Sequence, residues 1–163
     1  MIEGVIVPCT NGAFALISEE DADRVLQHVW TVCKTGTKYY VVGWVDGVNV
    51  RLHRFILNLG PDDPWVDHRS GLTMDCRRSN LRLCTPTENA QNAVVRKTNS
   101  TGVKGVSYHK KNNRYHARIR VNGERISLGY FNTAEDAGIA YATAAQLHFG
   151  EFAYVYPNHA GLV

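Results

Sequence analysis

Pairs of turn-forming residues interrupt this chain wherever an apolar run would otherwise lengthen: Asn11-Gly12, Asp46-Gly47, Gly60-Pro61, Asn112-Asn113 and Asn122-Gly123. Such pairs favour tight reversals, so the strands between them are short and neighbours pair antiparallel. IEGVIVP and FALIS are β-like runs around Asn11-Gly12. KYYVVGWVDGVNVRLHRFIL reads as a hairpin turning at Asp46-Gly47 and running into an apolar, helical stretch from Leu52 to Leu59. Between these, Ser18 is expected to cap a helix over EEDADRVLQHV, with Asp21 at its third position. The class that results is α+β.

The C-terminal third has a different texture. GVKGVSYH, NRYHARIRV and RISLGYF read as three short strands. An Ala-rich helix follows, capped by Thr133, with Glu135 and Asp136 at its positive end and Gly150 at its close. Side chains alternate faces along a strand. Arg114, His116, Arg118 and Arg120 therefore share one face, and Tyr115, Ala117, Ile119 and Val121 the other, against the helix. The next strand adds Arg125 and Ser127 to the basic side and is expected to place Ile126, Leu128 and Tyr130 opposite. Lys104, Lys110 and Lys111 add charge nearby. TNSTG, residues 98–102, is polar and aperiodic and reads as a linker.

The charge follows that division. Residues 1–95 carry nine Lys and Arg against eleven Asp and Glu, and residues 96–163 nine against four. An outward sheet face of Arg, Lys and His with no acid interspersed, Glu124 being expected in a turn, points to a polyanion, with nucleic acid foremost. The competing reading is a solvated charged face on a half-exposed sheet. A two- or three-stranded ribbon fits the DNA major groove, where Arg donates to guanine and Lys holds phosphate. KGVSYHKKNNRYHARIRVNGERISLGYFNTAEDAGIAYATAA, moreover, resembles the DNA-binding domain of ethylene-response-factor (Apetala) proteins. The resemblance covers roughly Thr98–Ala153 and implies a sheet that enters the major groove. It places Lys104, Arg114, Tyr115, Arg118, Arg120 and Arg125 at family contact positions. Ser107, Arg118 and Ser127 stand where Arg, Glu and Trp are usual, so base specificity does not transfer.

The middle segment poses the chemical question. DHRSGLTMDCRRSNLRL, Asp67 to Leu83, sets Asp67 beside His68 and returns through Asn80; TPTENAQNAVVRK then has a helix start at Thr85 or Thr87 with Pro86 in its first turn. Phosphodiester hydrolysis needs a base for water, positive charge at the phosphorane and a proton for the leaving oxygen. A hard divalent ion needs few protein oxygens, so one carboxylate and one Asn carbonyl suffice beside a His base. Adjacent strand residues point opposite ways, so Asp67 and His68 share a site only where the strand bulges or ends. Asn89 and Asn92, three apart, fall on one helix face. Singly, an Asp-His pair is ordinarily surface polarity, Asn80 beside Ser79 a turn residue and Asn89 an exposed helix position.

Taken together, LHRFIL, VDHRSG and RRSNLRLCTPTENAQN resemble an HNH nuclease of the homing-endonuclease kind, from about Leu52 to Asn92. PCTNGAFALIS and the later V-x-W are similar to the usual lead-in of such proteins. The resemblance implies a ββα-metal core in which His68 is the general base, Asp67 and Asn89 hold Mg²⁺ (or Mn²⁺), and Asn80 braces the hairpin loops. His53 and Arg54 match the preceding His-Arg, as support or DNA contact. Cys76 stands where Asn or Asp is common.

The expected organisation is a β-rich lead-in plus nuclease core over 1–97 (core about 52–95), a linker at 98–102, and a DNA-binding domain over 103–155. That domain is a three-stranded antiparallel sheet on one helix. Hydrophobic residues make up 44% of the chain, which excludes wholesale disorder. No apolar run reaches the roughly 18 residues of a membrane span, and Glu3 without a basic start argues against a signal peptide. A cytoplasmic, DNA-associated protein is expected, monomer or homodimer, bound to double-stranded DNA. Cys9, Cys33, Cys76 and Cys84 form no C-x-x-C pair, so free thiols and no structural zinc are expected. A DNA-binding regulator with a silent nuclease core is the alternative, and a scaffold with a charged face a third reading.

Overall fold

The computed structural model describes residues 3–93, 95 and 98–154. Contacts divide the chain into two compact units, Met1–Asn89 and Ala90–Val163. Arg96, Lys97 and the expected domain end at residue 155 lie outside the described residues. The division precedes the segment expected as a linker, and that segment is bonded into the second unit. The Asn99 amide donates to the carbonyls of Val103 (2.8 Å) and Val106 (3.4 Å), and Thr101 Oγ1 donates to Asn99 Oδ1 at 2.7 Å. TNSTG lacks apolar periodicity because its side chains fold it through local polar bonds.

The first unit is α+β, built from small antiparallel sheets. β1 (Val5–Pro8) and β2 (Phe14–Ile17) form a hairpin. A 3-10 turn (Glu19–Asp21) and a single turn of helix, α1 (Ala22–Val25), replace the longer helix expected there. Ser18 caps nothing. Its Oγ accepts the Arg78 backbone N–H at 3.0 Å, and the Arg78 guanidinium holds Asp21, 1% exposed, through two 2.9 Å contacts. A long-range charge pair thus claims the residues that a capping box would use.

The chain then enters β3 (Trp30–Thr35), a strand the sequence reading missed. It forms a meander with β4 (Lys38–Val45) and β5 (Val48–Arg51). Asp46 and Gly47 both have positive φ, 49° and 79°, as the expected tight turn requires. α2 (Leu52–Ile56) leads to a second hairpin, β6 (Trp65–His68) and β7 (Leu81–Cys84), and α3 (Pro86–Gln91) follows. α3 opens on a reciprocal capping box: Glu88 N–H donates to Thr85 Oγ1 (3.2 Å) and Thr85 N–H to Glu88 Oε2 (2.7 Å).

Ile17, Val25, Trp30, Val41, Leu52, Ile56, Cys76 and Leu81 belong to one buried cluster. Cys76, in the β6–β7 loop, is part of it. Its N–H donates to Leu16 O at 2.7 Å, and burial pushes its thiol up to about 12. The residue that departs from the family pattern therefore anchors the loop by packing. The described cysteines are free, with only Cys33 exposed among them.

The second unit is a three-stranded antiparallel sheet, order β10-β9-β8, covered by one helix. β8 is Val106–His109, β9 Arg114–Val121, β10 Glu124–Phe131 and α4 Ala134–Phe149. Thr133 caps α4 by accepting Asp136 N–H at 3.0 Å, and Gly150 closes it at φ 51°. Ala117 and Ile119 are buried on the helix side with Ala137, Tyr141 and Ala145.

Gly105 permits the closest approach in this unit. Its φ is +72°, and an added Cβ would fall 2.0 and 2.2 Å from two Tyr141 ring carbons and 2.8 Å from Arg118 O. Gly105→Ala is expected to destabilise the second unit by about 3 kcal/mol, from positive-φ strain plus overpacking. Thermal or urea unfolding of the full chain reads this as an early transition in which the first unit keeps its midpoint.

Candidate active site

Asp67 and His68 close strand β6, opposite Arg82 and Leu81 of β7. The strand ends at His68, in regular register with β7. Both are 4% exposed. They line one cleft of about 180 Å³ with Asn89 of α3, His53 and Arg54 of α2, Trp65 and Val66 of β6, and Lys38, Tyr40 and Arg51 of the meander. Asp67, His68 and Asn89, dispersed over 23 positions of sequence, thus meet at one place. Asn92, expected on the same helix face, lies beyond the end of α3 and is buried.

The loop between β6 and β7 is held by Asn80. Its Oδ1 accepts Ser70 N–H (2.9 Å), its Nδ2 donates to Asp75 O (2.7 Å), and its carbonyl accepts Arg69 N–H (2.8 Å). Asn80 therefore touches both arms of the loop and does not line the cleft. Arg54 is similarly occupied, donating to the carbonyls of Pro64, Gly60 and Asp63. It fixes the loop ahead of β6.

Arg82, not among the expected site residues, pairs with Asp67. Its Nη2 and Nε lie 2.6 and 2.9 Å from Asp67 Oδ2, with both side chains 5% exposed. The register of the hairpin carries the signal, since Arg82 of S-N-L-R sits directly across from Asp67. Such a bond orients a carboxylate for a metal as an outer-shell partner does. Asp67 and Asn89 supply one carboxylate and one amide oxygen, a donor set suited to a hard cation that keeps its waters. Among the described residues no three His, Cys, Asp or Glu side chains cluster as a metal cage.

The imidazoles form a small aromatic group. The His53 and His68 rings meet edge to face at 5.0 Å, and Tyr40 lies 5.8 Å from His53 and 6.4 Å from His68. Burial is the main cause that lowers His68 to about 4; Lys38 adds to it, against the opposing pull of Asp67 and Asp75. Burial lowers His53 to about 3, helped by His68, Arg51 and Arg54. Both rings are therefore neutral at pH 7, the form that accepts a proton.

These shifts carry a stability consequence of definite sign. A folded-state value below the unfolded 6.5 means that the unfolded chain binds protons more readily. Stability is full above pH 6.5 and is lost as pH falls towards 4 and then 3. At pH 5 the expected cost is about 2 kcal/mol for each histidine. Urea midpoints between pH 7 and 5 check this, and His53→Phe is expected to flatten the slope.

The basic sheet stands as a separate candidate surface. Arg114, Arg118, Arg120 and Arg125 are exposed, as are Lys110 and Lys111 in a 3-10 turn, and none of the six makes an ion pair among the described residues. Tyr130 and Lys104 differ from expectation, and Tyr115 takes the helix side that alternation assigns it rather than the contact position the family resemblance implied. A bulge between Ser127 and Gly129 shifts the register so that Tyr130 opposes His116, and the two rings stack at 4.3 Å. Tyr130 thus joins the basic face, and Phe131 takes its place against the helix. Tyr115 packs on the helix side, away from the arginines. Lys104 is half-buried: its Nζ donates to Gln91 O (2.5 Å) and Ala93 O (2.6 Å), and burial lowers it to about 8. It ties together segments of its own unit. His116 shares a 2.8 Å hydrogen bond with Ser127 Oγ and is lowered by burial, Arg118 and His109.

No family model and no solved structure matches the chain. Curated proteins do. The chain is 35% identical to a protein of Acanthamoeba polyphaga mimivirus named as an uncharacterized HNH endonuclease, over 148 residues that make up 88% of this chain and 74% of that one. It is 30% identical to Protein 3.8 of Escherichia phage T7 over 93 residues, 57% of this chain and 76% of the other. Among the described residues no helix is long and apolar enough to cross a membrane.

Proposed function

Because this chain belongs to the HNH endonucleases, we propose that it is a metal-dependent DNA endonuclease of the homing type, hydrolysing phosphodiesters in the Asp67–His68–Asn89 cleft. The observation that carries this reading is that Asp67, Asn89 and the neutral imidazole of His68 line one cleft. His68 takes a proton from the attacking water. Asp67 and Asn89 hold Mg²⁺ or Mn²⁺, with the Asp67 carboxylate aimed by Arg82. Held by Asp67 and Asn89, such an ion would supply positive charge to the phosphodiester under attack. Asn80 keeps the β6–β7 loop closed so that Asp67 and His68 stay at the end of a strand. On this reading the core is a ββα-metal unit made of β6, β7 and α3.

We assign the basic sheet of the second unit to DNA, as a ribbon in the major groove of the ethylene-response-factor kind. Arg114, Arg118, Arg120 and Arg125 face the groove, and Lys110 and Lys111 the phosphates. Tyr130 and His116 add a stacked pair to that face. Lys104 and Tyr115 act through the fold of the sheet. The alternative, a DNA-binding regulator with a silent core, is favoured by one observation, the commitment of Asp67 Oδ2 to Arg82.

Purified full chain with Mg²⁺ is expected to relax supercoiled plasmid, and excess EDTA to stop it. Tight binding of duplex DNA without any cutting under Mg²⁺ or Mn²⁺ would select the regulator. Binding indifferent to salt would remove DNA altogether, since phosphate contacts release counterions.

A further inference from the structure

The meander β3–β4–β5 reads as structural support, yet it contributes three side chains to the cleft, Lys38, Tyr40 and Arg51. Lys38 and Tyr40 alternate along β4, and Arg51 lies across from Val42, so all three share one face of the sheet. The Arg51 guanidinium lies over the Tyr40 ring, 4.8 Å from its centroid, which holds a long side chain in place.

The charges in the cleft do not cancel. Arg82 neutralises Asp67 in a buried pair, and Arg54 is occupied by backbone carbonyls. Lys38 and Arg51 make no ion pair among the described residues. Lys38 and Arg51, together with the positive but carbonyl-bonded Arg54, line a concave, mostly polar site and form a receptor for an anion. Arg offers a planar fork for two oxygens and Lys a point charge, the usual division of labour on a phosphate.

We propose that Lys38 and Arg51 form a phosphate clamp: they seat a backbone phosphodiester group of the DNA strand against His68, with Tyr40 as the plate that fixes Arg51. The identification of that phosphate as DNA rests on the endonuclease reading; the anion site itself does not. The meander would then be part of the substrate site, and Lys38 and Arg51 its binding residues.

Inorganic phosphate titrated into the full chain, without metal, tests this. The ring-proton NMR signals of His53 and His68 report the site directly. Saturable shifts are expected in the wild type. In Lys38→Gln/Arg51→Gln they are expected to need at least about tenfold more phosphate, from the loss of two charge-assisted contacts. Lys38→Arg is expected to keep the shifts, and an unchanged amide spectrum shows that the variants fold. Shifts that persist at the same phosphate concentration in the double variant would overturn the clamp, as would no shift in the wild type. In plasmid nicking, the double variant is expected to raise KM about tenfold with a smaller change in kcat. A wild type that binds phosphate here but never nicks would sink the endonuclease reading and leave the anion site standing.

Discussion

His68→Ala is expected to reduce plasmid nicking by about a thousandfold while leaving the affinity for duplex DNA within twofold or so. A positioned general base contributes roughly 10² to 10⁴ to a rate. The other imidazole of the cleft, His53, comes from α2 rather than from the strand that carries Asp67. The affinity is expected to hold because the exposed arginines of the second unit, which carry most of the binding on this reading, are untouched. Gel-shift affinity and initial nicking rates on the same preparation give both numbers. A variant that still cuts at a tenth of the wild-type rate would remove His68 from the chemistry. One that loses binding as well would make it a structural residue.

The other large effect concerns Arg82. Removing one partner of a buried ion pair leaves an uncompensated charge, at a typical cost of 3–5 kcal/mol. Asp67 and Arg82 are each about 5% exposed, so little solvent screening reduces that figure. Arg82→Leu is expected to destabilise the first unit by about 3 kcal/mol and to abolish nicking with it. The double variant Asp67→Asn/Arg82→Leu removes both charges and is expected to recover a large part of the stability but no activity. Urea denaturation of the wild type, Asp67→Asn, Arg82→Leu and the double variant forms a double-mutant cycle. A coupling near zero would mean that the pair does not hold the hairpin together.

Much of this arrangement is legible in the residues. Asp46-Gly47 and Asn122-Gly123 dictate their turns because only such residues accept positive φ cheaply. Alternation in RYHARIRV separates the basic face from the helix side without any tertiary knowledge. The HNH signature also survives as short fixed spacings around Asp67, His68, Asn80 and Asn89, and the family follows from it.

What escaped has a common physical cause, competition from partners distant in sequence. Ser18 and Asp21 have the right spacing for a helix cap, yet Arg78, 57 positions beyond Asp21, takes Asp21. Lys104 carries an ordinary basic signal and spends it on two backbone carbonyls. Tyr130 changed faces through a one-residue bulge, which reverses every side chain after it and leaves no trace in composition. In the cleft, Lys38, Tyr40 and Arg51 come from a meander that looks like scaffold when read linearly. Periodicity shows which face a residue takes; it does not show which element lies opposite.

The most direct measurement is the initial nicking rate as a function of Mg²⁺ concentration, for the wild type and for Asn89→Ala. If Asp67 and Asn89 hold the ion beside His68, the wild-type rate rises from near zero and saturates. Asn89→Ala then needs at least about tenfold more Mg²⁺ to reach half its maximum, as expected for the loss of one ligand. A rate independent of Mg²⁺ and untouched by EDTA, or the same Mg²⁺ requirement in both proteins, would contradict a metal centre built on these residues.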